Sequence, residues 1–349
     1  MKKRHSRREE RQKQFNGSWE GWKVFVTGCN GFLGSWVCRF LLESGAEVIG
    51  LIRDEMPHSM LNQSGDIGRI GVVRGCLEDY ALMERAFNEF EIDACFHLAA
   101  QAIVGTASRL PFSTFESNLR GTYNVLEAAR RYGKVRRLVV AASDKVYGTK
   151  EELPYTEEDA LMGRHPYDVS KVCTDLLAQS YAHQYKLPIG IARSGNFYGP
   201  GDLNFSRIVP GTIRSLIRNE NPIIRSDGTY VRDYFYIEDA AEAFIALGAA
   251  LDRKQIQGEA FNFGTETPTT VREVVDQLIQ ISGKSGLSPD IRNEVTDEIH
   301  AQYLSCDKAR RLLNWQSQTA LGEGLRKAYR WYEKLLSQYE GQDAEFSAV

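Results

Sequence analysis

The chain has 349 residues, 42% of them hydrophobic and 26% charged, which is enough to bury a sizeable core in one large domain or two modest ones. Its net charge of −3 is uneven: residues 1–13 carry seven basic and two acidic side chains, +5, which leaves −8 for the remainder. No apolar run approaches the ~18 residues of a membrane span, the basic N-terminal stretch has no apolar core behind it, and six scattered cysteines form neither a CxxC pair nor a disulfide framework. A cytoplasmic protein with reduced thiols is expected, with no membrane partner and no metal. Residues 1–20 read as a solvated, disordered basic tail rather than a nucleic-acid arm.

In chain order, Lys23–Thr27 is an apolar strand that runs into a glycine-rich turn, and 32–44 carries apolar residues at helical spacing. Strands are expected at 47–52, 70–73 and 94–98. A long helix follows at 115–132, a fifth strand at 137–142, a helix at 167–185 and a sixth strand at 188–192. Near-continuous apolar strands alternating with helical patterns predict a parallel sheet covered by helices on both faces. The character changes near Asn196, where Gly199, Pro200, Gly201, Pro210 and Gly211 break the pattern. Mixed short strands and helices follow, at 207–218, 238–250, 271–281 and 321–335. They predict a smaller lobe over the sheet's carboxyl edge. The expected division is 21–195 for the first domain and 196–340 for the second, interleaved with it.

The first strand ends in TGCNGFLG at 27–34, with glycines at 28, 31 and 34. Gly28 permits a tight turn, Gly31 lets a diphosphate approach the backbone, and Gly34 lets helix and strand pack closely. The helix that opens there offers free N–H groups to phosphates. A glycine triplet between a strand and a helix is the context of a dinucleotide site. At the end of strand two, Ile52 stands where an acid would bond the adenosine ribose. Arg53 suits the 2′-phosphate of NADP, and Asp54 suits NAD. The expected cofactor is NAD(P), with a lean to NADP.

Tyr167 and Lys171 stand four apart at a helix start, which places them on one helical face. An ammonium one turn away is expected to lower the phenol's pKa from its ordinary ~10. Strand five ends in Ser143-Asp144-Lys145. Ser143 can bond the hydroxyl that Tyr167 deprotonates. Two charged residues at the end of a core strand are costly unless used. The alternative is a solvated pair at a loop start.

Seven segments carry a wider pattern: TGCNGFLG at 27–34, HLAAQ at 97–101, SNLRGTYNVLEAA at 117–129, SDKVYG at 143–148, HPYDVSK at 165–171, ARSGNFYGPGD at 192–202 and VRDYFYIEDAAEA at 231–243. Together they resemble the extended short-chain dehydrogenase/reductases of the nucleotide-sugar-modifying type, over nearly the whole chain from residue 23 to about 335. The resemblance implies a Rossmann-type doubly wound sheet with a smaller C-terminal α/β substrate lobe. Within that superfamily the chain looks most like the nucleotide-sugar 4,6-dehydratases, those acting on CDP-glucose above all.

The resemblance also implies roles. Tyr167, assisted by Lys171 and Ser143, takes the sugar 4-hydroxyl proton while hydride leaves C4. Lys145 then removes the C5 proton, Asp144 protonates the departing 6-hydroxyl, and the hydride returns to C6. Asn196, Arg207 and Arg232 hold the nucleotide diphosphate, a task that suits the guanidinium fork. Cofactor contacts fall to Gly28, Asn30, Gly31, Phe32, Leu33, Gly34, Arg53, Asp54, Cys76, Leu77, Leu98, Ala99, Ala100, Gln101, Asn118, Tyr167 and Lys171. Cys76 is a departure, since the family places an acid there. The helices 115–132 and 167–185 are expected to pair with their copies in a homodimer. A 4-epimerase needs Ser143, Tyr167 and Lys171 but no acid–base pair at 144–145. A uronate decarboxylase shares the first oxidation. A non-enzymatic NADP-binding sensor would tend to lack the tyrosine.

Overall fold

The computed structural model describes residues 18–294 and 298–338. Six strands appear in the expected order: β1 (Lys23–Thr27), β2 (Glu47–Ile52), β3 (Gly71–Arg74), β4 (Ala94–His97), β5 (Arg137–Ala141) and β6 (Ile189–Ser194). They pair in parallel in the order β6-β5-β4-β1-β2-β3, and Ala260–Phe263 adds a seventh parallel strand outside β6.

Successive side chains of a strand face opposite ways, so each strand feeds two cores. Val24, Val26, Ala94, Phe96 and Val139 pack with the helices Phe32–Glu43 and Ile237–Ala250 on one face. Phe25, Cys95, Leu138 and Val140 pack with Tyr80–Glu89, Gly121–Tyr132 and Pro166–Tyr185 on the other. This is the doubly wound sheet that the alternation predicts. The seventh strand and the covering helix Ile237–Ala250 come from beyond residue 195, so the first layer system takes chain from both halves. The smaller lobe is built on Val231–Tyr236, which pairs with Asn196–Tyr198, Pro268–Thr270 and Ala301–Gln302.

Two local differences stand out. The helix expected over 115–132 is interrupted by a π turn at Glu116–Arg120 before Gly121–Tyr132 continues. Asn118, in that turn, is buried and bonded to Gln101 and Ser170. Of the expected tail, residues 1–17 lie outside the described residues, and Trp19 is fully buried, 5.4 Å from the Phe96 ring and beneath the Arg137 guanidinium. Among the described residues no helix is long and apolar enough to cross a membrane.

Candidate active site

Parallel pairing brings the carboxyl ends of β1, β4, β5 and β6 to one edge, and the strand order reverses between β1 and β4, where open α/β sheets bind their ligands. The loops there touch. Gly28 has φ +70°, and a Cβ on it would sit 2.9 Å from the Ala99 backbone. A Cβ on Gly34 would fall 2.0 Å from the Gly28 carbonyl oxygen, so only hydrogen fits there. Gly31 caps the helix Phe32–Glu43 without a side-chain cap bond, which leaves first-turn N–H groups for a ligand phosphate. Asn30 Nδ2 donates to the Asp54 carbonyl at 2.8 Å and ties this loop to the end of β2.

On the β4 side, the Thr27 hydroxyl accepts from the Leu98 and Ala99 amides at 3.1 and 3.2 Å. Asn118 accepts from Gln101 N at 2.7 Å and donates to Gln101 O and Ser170 Oγ, so all its polar atoms brace the 98–101 loop against the helix Pro166–Tyr185. At the end of β2, Arg53 and Asp54 pair with each other at 2.6 Å, both well exposed. The Gly75 amide donates to Ile52 O at the end of β2, and Cys76, the next residue, is exposed. Leu77 is buried against Gly121, its carbonyl taken by Asn124. The cradle fits the diphosphate and adenosine end of a dinucleotide.

Beyond β5, Ser143, Asp144 and Lys145 enter a short 3₁₀ helix, Asp144–Tyr147. Ser143 Oγ donates to Asp144 Oδ1 at 3.1 Å, and Asp144 Oδ2 is buried without a partner. Burial pushes the Asp144 carboxyl up to about 6, against the opposing pull of Lys145 and Ser143. Asp144 is 2% exposed, which excludes a solvated loop pair. Tyr167 and Lys171 share one face of Pro166–Tyr185, and the lysine donates to Ala141 O at 2.8 Å.

The tyrosine departs from expectation. Burial pushes its phenol up to about 12, only partly offset by the Ser143 hydroxyl, and the same burial lowers Lys171 to about 8. Spacing gives the shared face, and burial sets the direction of both shifts.

The second lobe contributes Asn196, Arg207 and Arg232. Asn196 Nδ2 is buried without a partner. Arg207 pairs with Asp202 at 3.1 Å, and the two help line a cavity of about 120 Å³ that also meets Asn30 and Phe32 of the glycine loop. Arg232 is engaged with Glu298 at 3.1 Å and with the Val231 and His300 carbonyls.

Two partners escape sequence reasoning. Asp202 stands inside the quoted ARSGNFYGPGD segment, and nothing in that segment marks it as the holder of Arg207. Gln302 accepts from Lys145 Nζ at 3.2 Å across a separation of 157 residues, and no motif announces it. His97, the first residue of HLAAQ, is a third residue at this edge that no motif marks for the site. It is buried, with Nδ1 at 2.9 Å from the Thr27 hydroxyl and Nε2 at 3.0 Å from the Thr122 hydroxyl. Burial, then the nearby Lys171 charge, lowers it to about 3.

A switch-point glycine cradle, with a Ser-Tyr-Lys set at the ends of β5 and the following helix, defines a dinucleotide-dependent enzyme of the short-chain dehydrogenase/reductase class. The chain belongs to the NAD dependent epimerase/dehydratase family, whose model matches residues 24–264. It is 29% identical over 329 residues to CDP-glucose 4,6-dehydratase of Salmonella typhimurium, covering 90% of this chain and 91% of that protein. Its fold is similar to UDP-glucose 4-epimerase of Thermotoga maritima with UDP-glucose, at a TM-score of 0.83 and 29% identity, covering 90% of this chain and 99% of that one. It is also similar to dTDP-glucose 4,6-dehydratase of Bacillus anthracis in complex with NAD, at a TM-score of 0.80 and 26% identity, covering 90% and 97%.

Proposed function

We propose that the chain is a nucleotide-sugar 4,6-dehydratase that makes a 4-keto-6-deoxy hexose by transient oxidation at C4. The observation that carries this reading is Asp144, a carboxyl 2% exposed, with one oxygen unpartnered and its pKa pushed up to about 6, next to the redox serine. Elimination needs a carboxylic acid that can deliver a proton, and desolvation brings the acid form within reach of neutral pH. An epimerase has no step for such an acid.

The glycine cradle, the 98–101 loop and Lys171 would hold the cofactor, and NAD, when bound, supplies the hydride acceptor and a cationic nicotinamide ring. Arg53 is the residue through which a 2′-phosphate would be held if the cofactor were NADP. Tyr167 accepts the 4-hydroxyl proton as the phenolate that the Lys171 ammonium and the positive nicotinamide ring would stabilise against the upward push of burial, with Ser143 bonding the same oxygen. Lys145 takes the C5 proton made acidic by the 4-keto group, and Asp144 gives its proton to the departing 6-hydroxyl, which leaves as water. Asn196, Arg207 and Arg232 orient the nucleotide diphosphate, Arg207 and Arg232 from pairs with carboxylates that substrate phosphate oxygens would displace.

The test is a panel of CDP-, UDP- and dTDP-glucose and UDP-glucuronate with product analysis by mass. Loss of one water supports the dehydratase. Unchanged mass with inversion at C4 supports the epimerase instead, and loss of carbon dioxide the decarboxylase.

A further inference from the structure

We propose that Gln302, carried in by the second lobe, is a positioning residue that holds Lys145 for the elimination; this rests on the dehydratase reading above. Lys145 Nζ donates to Gln302 Oε1 at 3.2 Å. Gln302 is fully buried, and its Nε2 has no hydrogen-bond partner. An unpaired buried amide N–H costs on the order of 1–3 kcal/mol, so an apolar side chain would serve the fold better. Asp144 Oδ2 is likewise buried and unpartnered, and Lys145 interacts with both residues. The two residues that engage the lysine thus each keep one unpartnered polar atom, a donor on Gln302 and a carboxyl oxygen on Asp144.

The glutamine is rigidly placed. Ala301–Gln302 pairs with Val231 and Arg232, and just beyond it Tyr155 N donates to Tyr303 O while Ser305 N donates to Tyr155 O. Lys145, by contrast, has a flexible four-carbon stem on a single 3₁₀ turn. Anchoring it to a strand of the other lobe fixes its amine relative to Asp144.

The neutrality of the anchor matters as much as its place. The charges facing Lys145 are Asp144 on its own segment and Asp168 on the helix Pro166–Tyr185; Arg232, which pairs with Glu298, faces Asp144 from the strand Val231–Tyr236. A carboxylate at position 302 would add a negative charge in direct contact with the lysine amine. An amide oxygen can accept an N–H from either an ammonium or an amine, and it adds no formal charge that favours the ammonium. In the step itself, the neutral Lys145 amine takes the C5 proton and the C–H electron pair becomes the C5=C6 bond. The C6–O bond breaks, and the oxygen leaves as water with the Asp144 proton. Lys145 afterwards returns its proton to C5 as the hydride removed from C4 would be given back to C6, and Asp144 is reprotonated from solvent in exchange for the proton Tyr167 took up.

The experiment compares wild type with Gln302→Glu and Gln302→Met, with near-UV circular dichroism as a check on folding. Two readouts are taken against pH: the rate of Lys145 acylation in the protein without substrate, and solvent-deuterium incorporation at C5 in single turnovers. Gln302→Glu should move the rise of both to higher pH by about 1–3 units. Gln302→Met should leave oxidation intact and slow elimination at least ~10-fold, so that reduced nicotinamide accumulates. An unchanged acylation profile in Gln302→Glu, or wild-type elimination in Gln302→Met, overturns the proposal. If wild type yields no dehydrated product from any nucleotide hexose, the dehydratase reading fails on its own, and the acylation profile still decides whether Gln302 governs Lys145.

Discussion

His97 and Asp144 stand at the ends of neighbouring strands, and burial shifts both toward their neutral forms, the imidazole down to about 3 and the carboxyl up to about 6. The imidazole has a consequence for stability. In the unfolded chain His97 takes up a proton below its ordinary ~6.5, while the folded protein does not do so until about pH 3. Its contribution is therefore fully present above pH 6.5 and is lost as pH falls, by up to about 1.4 kcal/mol per unit. Urea unfolding at pH 7 and pH 5 should show a smaller loss in His97→Gln than in wild type; an equal loss in both would remove His97 from the account. The burial of Asp144 was foreshadowed in the sequence, where adjacent charges close an apolar strand. The direction of the Tyr167 shift was not, since spacing reports a shared face and says nothing of how deeply both groups are buried. Gln302 was illegible for a different reason: it sits on a two-residue strand whose place is set by Val231–Tyr236.

At the scale of elements, strand–helix alternation was readable because buried parallel strands must be apolar throughout, and the glycine turn because Gly28 and Gly34 leave no room for a side chain. The π turn at Glu116–Arg120 was not readable: its cause is the tertiary demand on Asn118, and the local sequence suits an α-helix equally well. The helices around it also carry apolar groups that this fold leaves uncovered. Phe112 is 79% exposed, Leu176 51% and Tyr123 43%, on helices that adjoin one another. Apolar groups of that size on neighbouring elements suit a self-association surface. We expect a homodimer through Gly121–Tyr132 and Pro166–Tyr185, and Leu176→Asp should convert it to a monomer in light scattering at micromolar concentration. A wild-type monomer under the same conditions contradicts this.

For the whole molecule, the class of fold followed from the sequence, but the closure of the sheet did not, because Ala260–Phe263 reaches the edge of β6 from within the second half of the chain. The same interweaving assembles the site: Ser143, Asp144, Lys145, Tyr167 and Lys171 stand on the sheet's carboxyl edge, while Asn196, Arg207, Arg232 and Gln302 belong to the lobe above it. The division of labour we propose is oxidation by Tyr167 and its partners, and elimination by Asp144 and Lys145. Asp144→Asn separates the two most directly, since the amide preserves shape but cannot supply the proton, a loss of typically ~10²–10⁴-fold in the step it serves. With the preferred nucleotide hexose, the account predicts that this variant stalls after oxidation, with absorbance of reduced nicotinamide rising near 340 nm and little product lighter by one water. Near-normal turnover by Asp144→Asn, to a product equal in mass to the substrate, would contradict the dehydratase and favour an epimerase.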